Sequence, residues 1–136
     1  MQQTLDDVRE TFAFLDDWTE KYRYLIELGA ELPPMPEELK VDEHKVKGCM
    51  SQVWLVGSSD EGKLRFLADS DAHIVRGLVA LVLMIFGGKT PEEARDLDAK
   101  AVLAELELDK HLSPGRSNGL HSMIGRIQSI AAASAA

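Results

Sequence analysis

Apolar and polar positions alternate along this chain with a period that changes from helical to strand-like and back. Val8, Phe12 and Leu15 recur at helical spacing behind Thr4, and Asp7 three residues on completes a capping box, so the first element is an amphipathic helix. A second helix follows Asp16 or Asp17, with Trp18, Tyr22, Leu25 and Ile26 on one face and Gly29 as its stop. Trp18 and Tyr22 read as core positions, a partner surface being the alternative. Pro33, Pro34 and Pro36 then remove amide donors and hold the chain extended. From His44 the period becomes two. Lys45-Val46-Lys47 and Val53-Trp54-Leu55-Val56 flank Gly48 and Cys49, and Leu64 to Ala68 follows a polar turn at Ser58 to Lys63. These three runs predict a three-stranded antiparallel meander.

The second half is helical. Ile74 to Phe86, capped by Asp69 or Ser70 and ended by Gly87-Gly88, is too short for the roughly 20 residues that cross a bilayer and reads as a buried central helix. Thr90-Pro91-Glu92-Glu93 combines a cap, an N1 proline and a capping-box glutamate, starting a short helix to about Leu97. Asp98 caps another, with Val102, Leu103 and Leu106 inside. His111 to Gly119 is polar and turn-forming. The last helix is expected from Leu120, burying Met123, Ile124, Ile127 and Ile130, and residues 131–136 are expected to fray. The pattern is therefore α+β, and 136 residues fit one domain, 1–136.

Composition narrows the chemistry. With 45% hydrophobic and 28% charged residues the chain is globular, and its net charge of −8 argues against a nucleic-acid partner, which would need clustered lysine and arginine. A single cysteine forms no internal disulfide and builds no multi-thiolate metal site. Residues 1–7 lack the basic and apolar segments of a signal peptide, so a reducing, cytoplasmic setting without membrane insertion is expected. No repeat, Walker loop or dinucleotide-binding glycine motif is present.

Chemistry therefore centres on Cys49. A lone cysteine is commonly a small buried hydrophobe. A cysteine behind a turn glycine, beside Lys45 and Lys47 and at a strand boundary, is alternatively a nucleophile whose thiolate the lysines favour. No spacing brings His44, His73, His111 or His121 to it as a base, and a peroxidase or hydrolase would need such a base or a resolving thiol. Asp71 reads as a first-turn acid favoured by the helix dipole, or as a residue facing the cysteine loop. Arg116 reads as a turn or surface-pair residue, or as one that stabilises a thiolate or anchors a partner.

Val46-x-Gly48-Cys49-x-Ser51-x-Val53-Trp54-Leu55 resembles the signature of the SufE/CsdE family of sulfur acceptors in iron–sulfur cluster assembly. Further matches follow in the family's order: Trp18-x-x-Lys21-Tyr22, Leu28-Gly29 leading to Leu32-Pro33, Asp69-Ser70-Asp71-Ala72-x-Ile74-Val75-x-Gly77-Leu78, and Leu112-Ser113-Pro114-x-Arg116-x-Asn118-Gly119-Leu120. The resemblance implies an architecture shared with IscU scaffolds, an antiparallel sheet with helices packed on one face. It implies that Cys49 accepts sulfane sulfur as a persulfide from a SufS/CsdA-type cysteine desulfurase and passes it to a SufBCD-type scaffold. It also implies a cysteine sheltered in an apolar cavity until its loop moves out. Gly48, Ser51, Asp71 and Arg116 match family residues that support the loop or face the desulfurase. No cofactor or metal is implied, the pyridoxal phosphate belonging to the desulfurase. Gly115 departs from the family's usual serine, loosening the expected turn before Arg116. An allosteric desulfurase-binding module, with Cys49 only packed, is the alternative.

Overall fold

A computed structural model describes residues 3–49 and 51–135. Met1, Gln2, Met50 and Ala136, which the terminal and loop expectations also covered, lie outside the described residues. In chain order the elements are α1 (Leu5–Phe14), α2 (Trp18–Gly29), two single 3-10 turns (Glu37–Leu39 and Asp42–His44), β1 (Val53–Asp60), β2 (Lys63–Ser70), α3 (His73–Phe86), α4 (Pro91–Asp96), α5 (Ala99–Glu105), α6 (Leu108–His111) and α7 (Pro114–Ala135). No helix among the described residues is long and apolar enough to cross a membrane.

The caps fall where the sequence places them. Thr4 and Asp7, and Thr90 and Glu93, form reciprocal capping boxes, and Asp17 and Asp98 cap α2 and α5. At the start of α3 the chain departs from expectation. Asp69 and Ser70 end β2, Ala72 is the cap position, and Ser70 Oγ accepts from the Ala72 amide at 3.3 Å.

The sheet has two strands, β1 and β2, not three. Its turn is Glu61-Gly62, both at positive φ (52° and 77°), the two-residue reversal that matches strand twist. The expected first strand contributes one antiparallel bridge, Lys45 to Trp54, and one hydrogen bond, Val46 N to Val53 O at 2.9 Å. The 3-10 turn ends at His44 and Gly48 turns at φ +90°, so the extended stretch between them is too short to build a ladder. Register puts Val53, Leu55, Ala68 and Leu64 on the same face of the hairpin, all buried against the helices.

Helices α2 and α3 cross at Gly29 and Gly77. A Cβ on Gly77 would lie 2.6 Å from Leu25 C, and one on Gly29 would lie 2.6 Å from Gly77 N. The two backbones therefore touch, and only glycine fits there. Leu25, Leu28 and Gly29 form the buried face of α2, whereas Ile26, expected among them, is 41% exposed. Trp18 stacks on His111 with ring centroids 4.0 Å apart, and the Tyr22 hydroxyl donates to the His111 carbonyl. This ties α2 to the end of α6, two residues before Ser113.

Helix α7 begins at Pro114, six residues earlier than the apolar pattern suggests. Ser113 Oγ accepts from the Arg116 amide at 3.3 Å and its carbonyl accepts from the Ser117 amide at 2.9 Å, so Ser113 is the cap and Pro114 the first helical residue. The early turn is therefore firm despite Gly115. The helix runs through the alanines as far as Ala135, with Ala131 fully buried. Gln128 Nε2 donates to the carbonyls of Ala94, Arg95 and Leu97, satisfying the end of α4.

Candidate functional site

The segment before β1 lies across α7, and this contact builds the site. Gly48 adopts φ +90°, a conformation that favours glycine, and a Cβ there would meet Ser122 Oγ at 2.6 Å, so the hydroxyl would have to turn aside. The next residue, Cys49, is half-buried, and its thiol donates to the Gly119 carbonyl at 3.7 Å. A Cβ on Gly119 would stand 3.4 Å from the sulfur, in ordinary contact, so the two segments pack closely here.

Beyond the sulfur lies a cleft of about 360 Å³ between the Cys49 segment, α3 and the start of α7. Val75, Leu78 and Met123 make its apolar wall, and Ser51, Ser113 and Arg116 bring polar groups to it. Arg116 is exposed, and no carboxylate among the described residues lies within ion-pair reach of it. Its guanidinium is available to something other than a surface pair.

Asp71 stands outside the cleft, at the far end of the same segment. Its carboxylate accepts from the Gln52 amide at 3.0 Å and its own amide donates to Gln52 O at 3.3 Å. The structure thus gathers Cys49, Ser51 and Arg116 around one cleft, with Gly48 turning the chain beside it against Ser122 and Asp71 as a brace behind it. Sequence reasoning did not single out Ser122; Val75, Leu78 and Gly119 entered only as parts of motifs, and Met123 only as a core position of the last helix.

The electrostatics differ from those expected of an activated thiol. Burial pushes the Cys49 thiol above its ordinary pKa, and nothing offsets it. Lys45 does not act on the sulfur; its ammonium pairs with Asp42 at 3.1 Å, and Lys47 is exposed. Burial and the carbonyl that the thiol faces both favour S–H over S⁻. Among the described residues no histidine lines the cleft, and no three His, Cys, Asp or Glu side chains converge as a metal site.

The family model described as the Fe-S metabolism associated domain, SufE, matches residues 6–131. An uncharacterized SufE-like protein of Rhizobium meliloti (strain 1021) is 52% identical over 130 residues, covering 93% of each chain. One from Rhizobium etli is 50% identical over 129 residues, covering 92% of this chain and 87% of that one. The solution structure of a hypothetical protein from Thermus thermophilus superposes with a TM-score of 0.77 over 96% of this chain and 94% of the other; at 21% identity it speaks for the fold. A capped α7 carrying Gly119 under a lone cysteine, in a chain matched almost end to end, leads to one assignment: this protein belongs to the SufE family.

Proposed function

We propose that this protein carries sulfane sulfur in iron–sulfur metabolism, accepting it on Cys49 from the persulfide of a SufS/CsdA-type cysteine desulfurase and delivering it to a SufBCD-type scaffold. The Cys49 thiolate attacks the outer sulfur of the partner's persulfide. A new S–S bond forms at Cys49, the partner's S–S bond breaks, and its cysteine leaves as a thiolate that takes up the proton Cys49 lost. No net oxidation occurs and no cofactor is needed on this chain.

The observation that carries the reading is the space in front of the sulfur. A cysteine serving only as packing is surrounded by core atoms, whereas Cys49 faces a cleft of about 360 Å³. Since a water's share of liquid volume is about 30 Å³, a second sulfur is easily housed there. The apolar wall of Val75, Leu78 and Met123 shields it from aqueous reductants. Because burial raises the thiol's pKa, it ionises more readily once outside the cleft, which couples reactivity to contact with a partner. Arg116 on the rim then meets the desulfurase, and Asp71 holds the base of the segment.

Intact-mass spectrometry after mixing the protein with a cysteine desulfurase and free cysteine tests this. The expected result is a gain of one sulfur atom, reversed by thiol reductant and absent in Cys49→Ser. Stimulation of the desulfurase by both proteins, with no sulfur gained by either, would make this an allosteric module instead.

A further inference from the structure

Helix α7 presents Gly119, Ser122 and Arg126 at i, i+3 and i+7, on the same face, to the segment that carries the thiol. The first two are small and let that segment lie flat. Arg126 acts differently. Its Nη1 donates to Lys45 O at 3.5 Å and its Nη2 to Glu43 O at 3.4 Å, and among the described residues no carboxylate is within ion-pair reach of it. In a chain of net charge −8, a guanidinium that spends its fork on two backbone carbonyls is acting on the course of the main chain.

Those carbonyls belong to the residues just before the thiol segment. Next to them Lys45 bridges Trp54 and Val46 donates to Val53 O, so residues 43–46 are held from two sides. At the other end, Gln52 and Asp71 are bonded reciprocally. Between these two holds lies the short stretch that contains Cys49.

We propose that Arg126 is a positioning residue that clamps the root of the Cys49 segment to α7 and so sets how often the thiol leaves its cleft; its bearing on sulfur transfer rests on the carrier function proposed above. The clamp keeps the segment's base fixed while the sulfur emerges, so each excursion starts from and returns to one seat. Without it the base lifts as well and the sulfur spends more time in solvent.

Alkylation of Cys49 by iodoacetamide at fixed pH, in the wild type, Arg126→Ala and Arg126→Lys, tests the clamp. Losing two partly exposed charge-assisted hydrogen bonds is expected to speed alkylation about fivefold in Arg126→Ala, with Arg126→Lys, which keeps one donor, between. The rate should stay flat as urea is added below the unfolding transition, as local opening does. An unchanged rate in Arg126→Ala, or a rise that follows the urea dependence of global unfolding, overturns the proposal. Sulfur loading is followed by intact mass in parallel. Faster alkylation with no loading of any variant would remove the carrier function and leave the clamp, whereas normal loading with unchanged alkylation would remove the clamp alone.

Discussion

Gly77→Ala puts the backbone contact between α2 and α3 to a direct test. The added Cβ would sit 2.6 Å from Leu25 C, against the roughly 3.5–4.0 Å of a relaxed carbon contact, so the helices must part by about 1 Å. The neighbour is main chain, so no side chain can swing aside. Against main chain, overpacking costs about 3 kcal/mol, the upper end of its usual range, and alanine returns up to about 1 kcal/mol of helix propensity, giving an expected net loss of about 2 kcal/mol. Gly125→Ala is the control. It is the same substitution in α7 at an exposed position with nothing within 4 Å, and it should gain up to about 1 kcal/mol. Urea unfolding followed by fluorescence of Trp18 and Trp54 reads both. At a urea slope of about 1–3 kcal/mol/M, Gly77→Ala should lower the midpoint by about 1 M or more while Gly125→Ala raises it. Equal midpoints for the two variants would refute the touching-backbone crossing. Because Val75 and Leu78 of α3 wall the cleft, Gly77→Ala should also weaken the shelter of Cys49 at urea concentrations where the chain is still folded.

Three other expectations follow from the site. The Cys49 pKa is raised by burial, so the folded chain holds its proton where the unfolded chain has lost it. The resulting stability is present below the ordinary thiol pKa of about 8.5 and is lost as pH rises through the folded value; urea midpoints measured across alkaline pH should fall more steeply for the wild type than for Cys49→Ser. Asp71→Ala deletes the acceptor of the Gln52 amide; a loss of about 1 kcal/mol and faster Cys49 alkylation are expected, with Asp71→Asn, which keeps an oxygen there, closer to the wild type. Gly48→Ala meets a left-handed backbone cost of about 1–2 kcal/mol plus the clash with Ser122; adding Ser122→Gly should relieve the clash and leave the backbone cost, a partition that a double-mutant cycle in urea would measure.

Local signals carried most of the fold. Thr4 with Asp7, and Thr90 with Pro91 and Glu93, announce their helices because capping chemistry acts within four residues. The start of α7 was equally legible in Ser113-Pro114, which repeats the Thr90-Pro91 device, but Gly115, Ser117, Asn118 and Gly119 are poor helix formers and hid it. Lys45-Val46-Lys47 has strand alternation without strand length, and length is decided by the 3-10 turn and Gly48 on either side. At the site, the residue types around Cys49 and their order pointed to the sulfur. That its thiol is raised rather than lowered was not legible, because it depends on burial under α7, 70 residues away, and on Lys45 turning to Asp42. Arg126 gave no signal at all; an arginine in an amphipathic helix looks like any solvated residue until its partners are known.

The Glu61-Gly62 hairpin closes over two residues, whereas the thiol meets Gly119 across 70 residues and Arg126 reaches Lys45 across 81. Hairpins form in about 1–10 μs, and contacts so distant in sequence wait for the chain between them. During synthesis the cysteine therefore leaves the ribosome long before the helix that covers it. A nascent chain halted before residue 119 displays a bare thiol, and only a finished one can put it away.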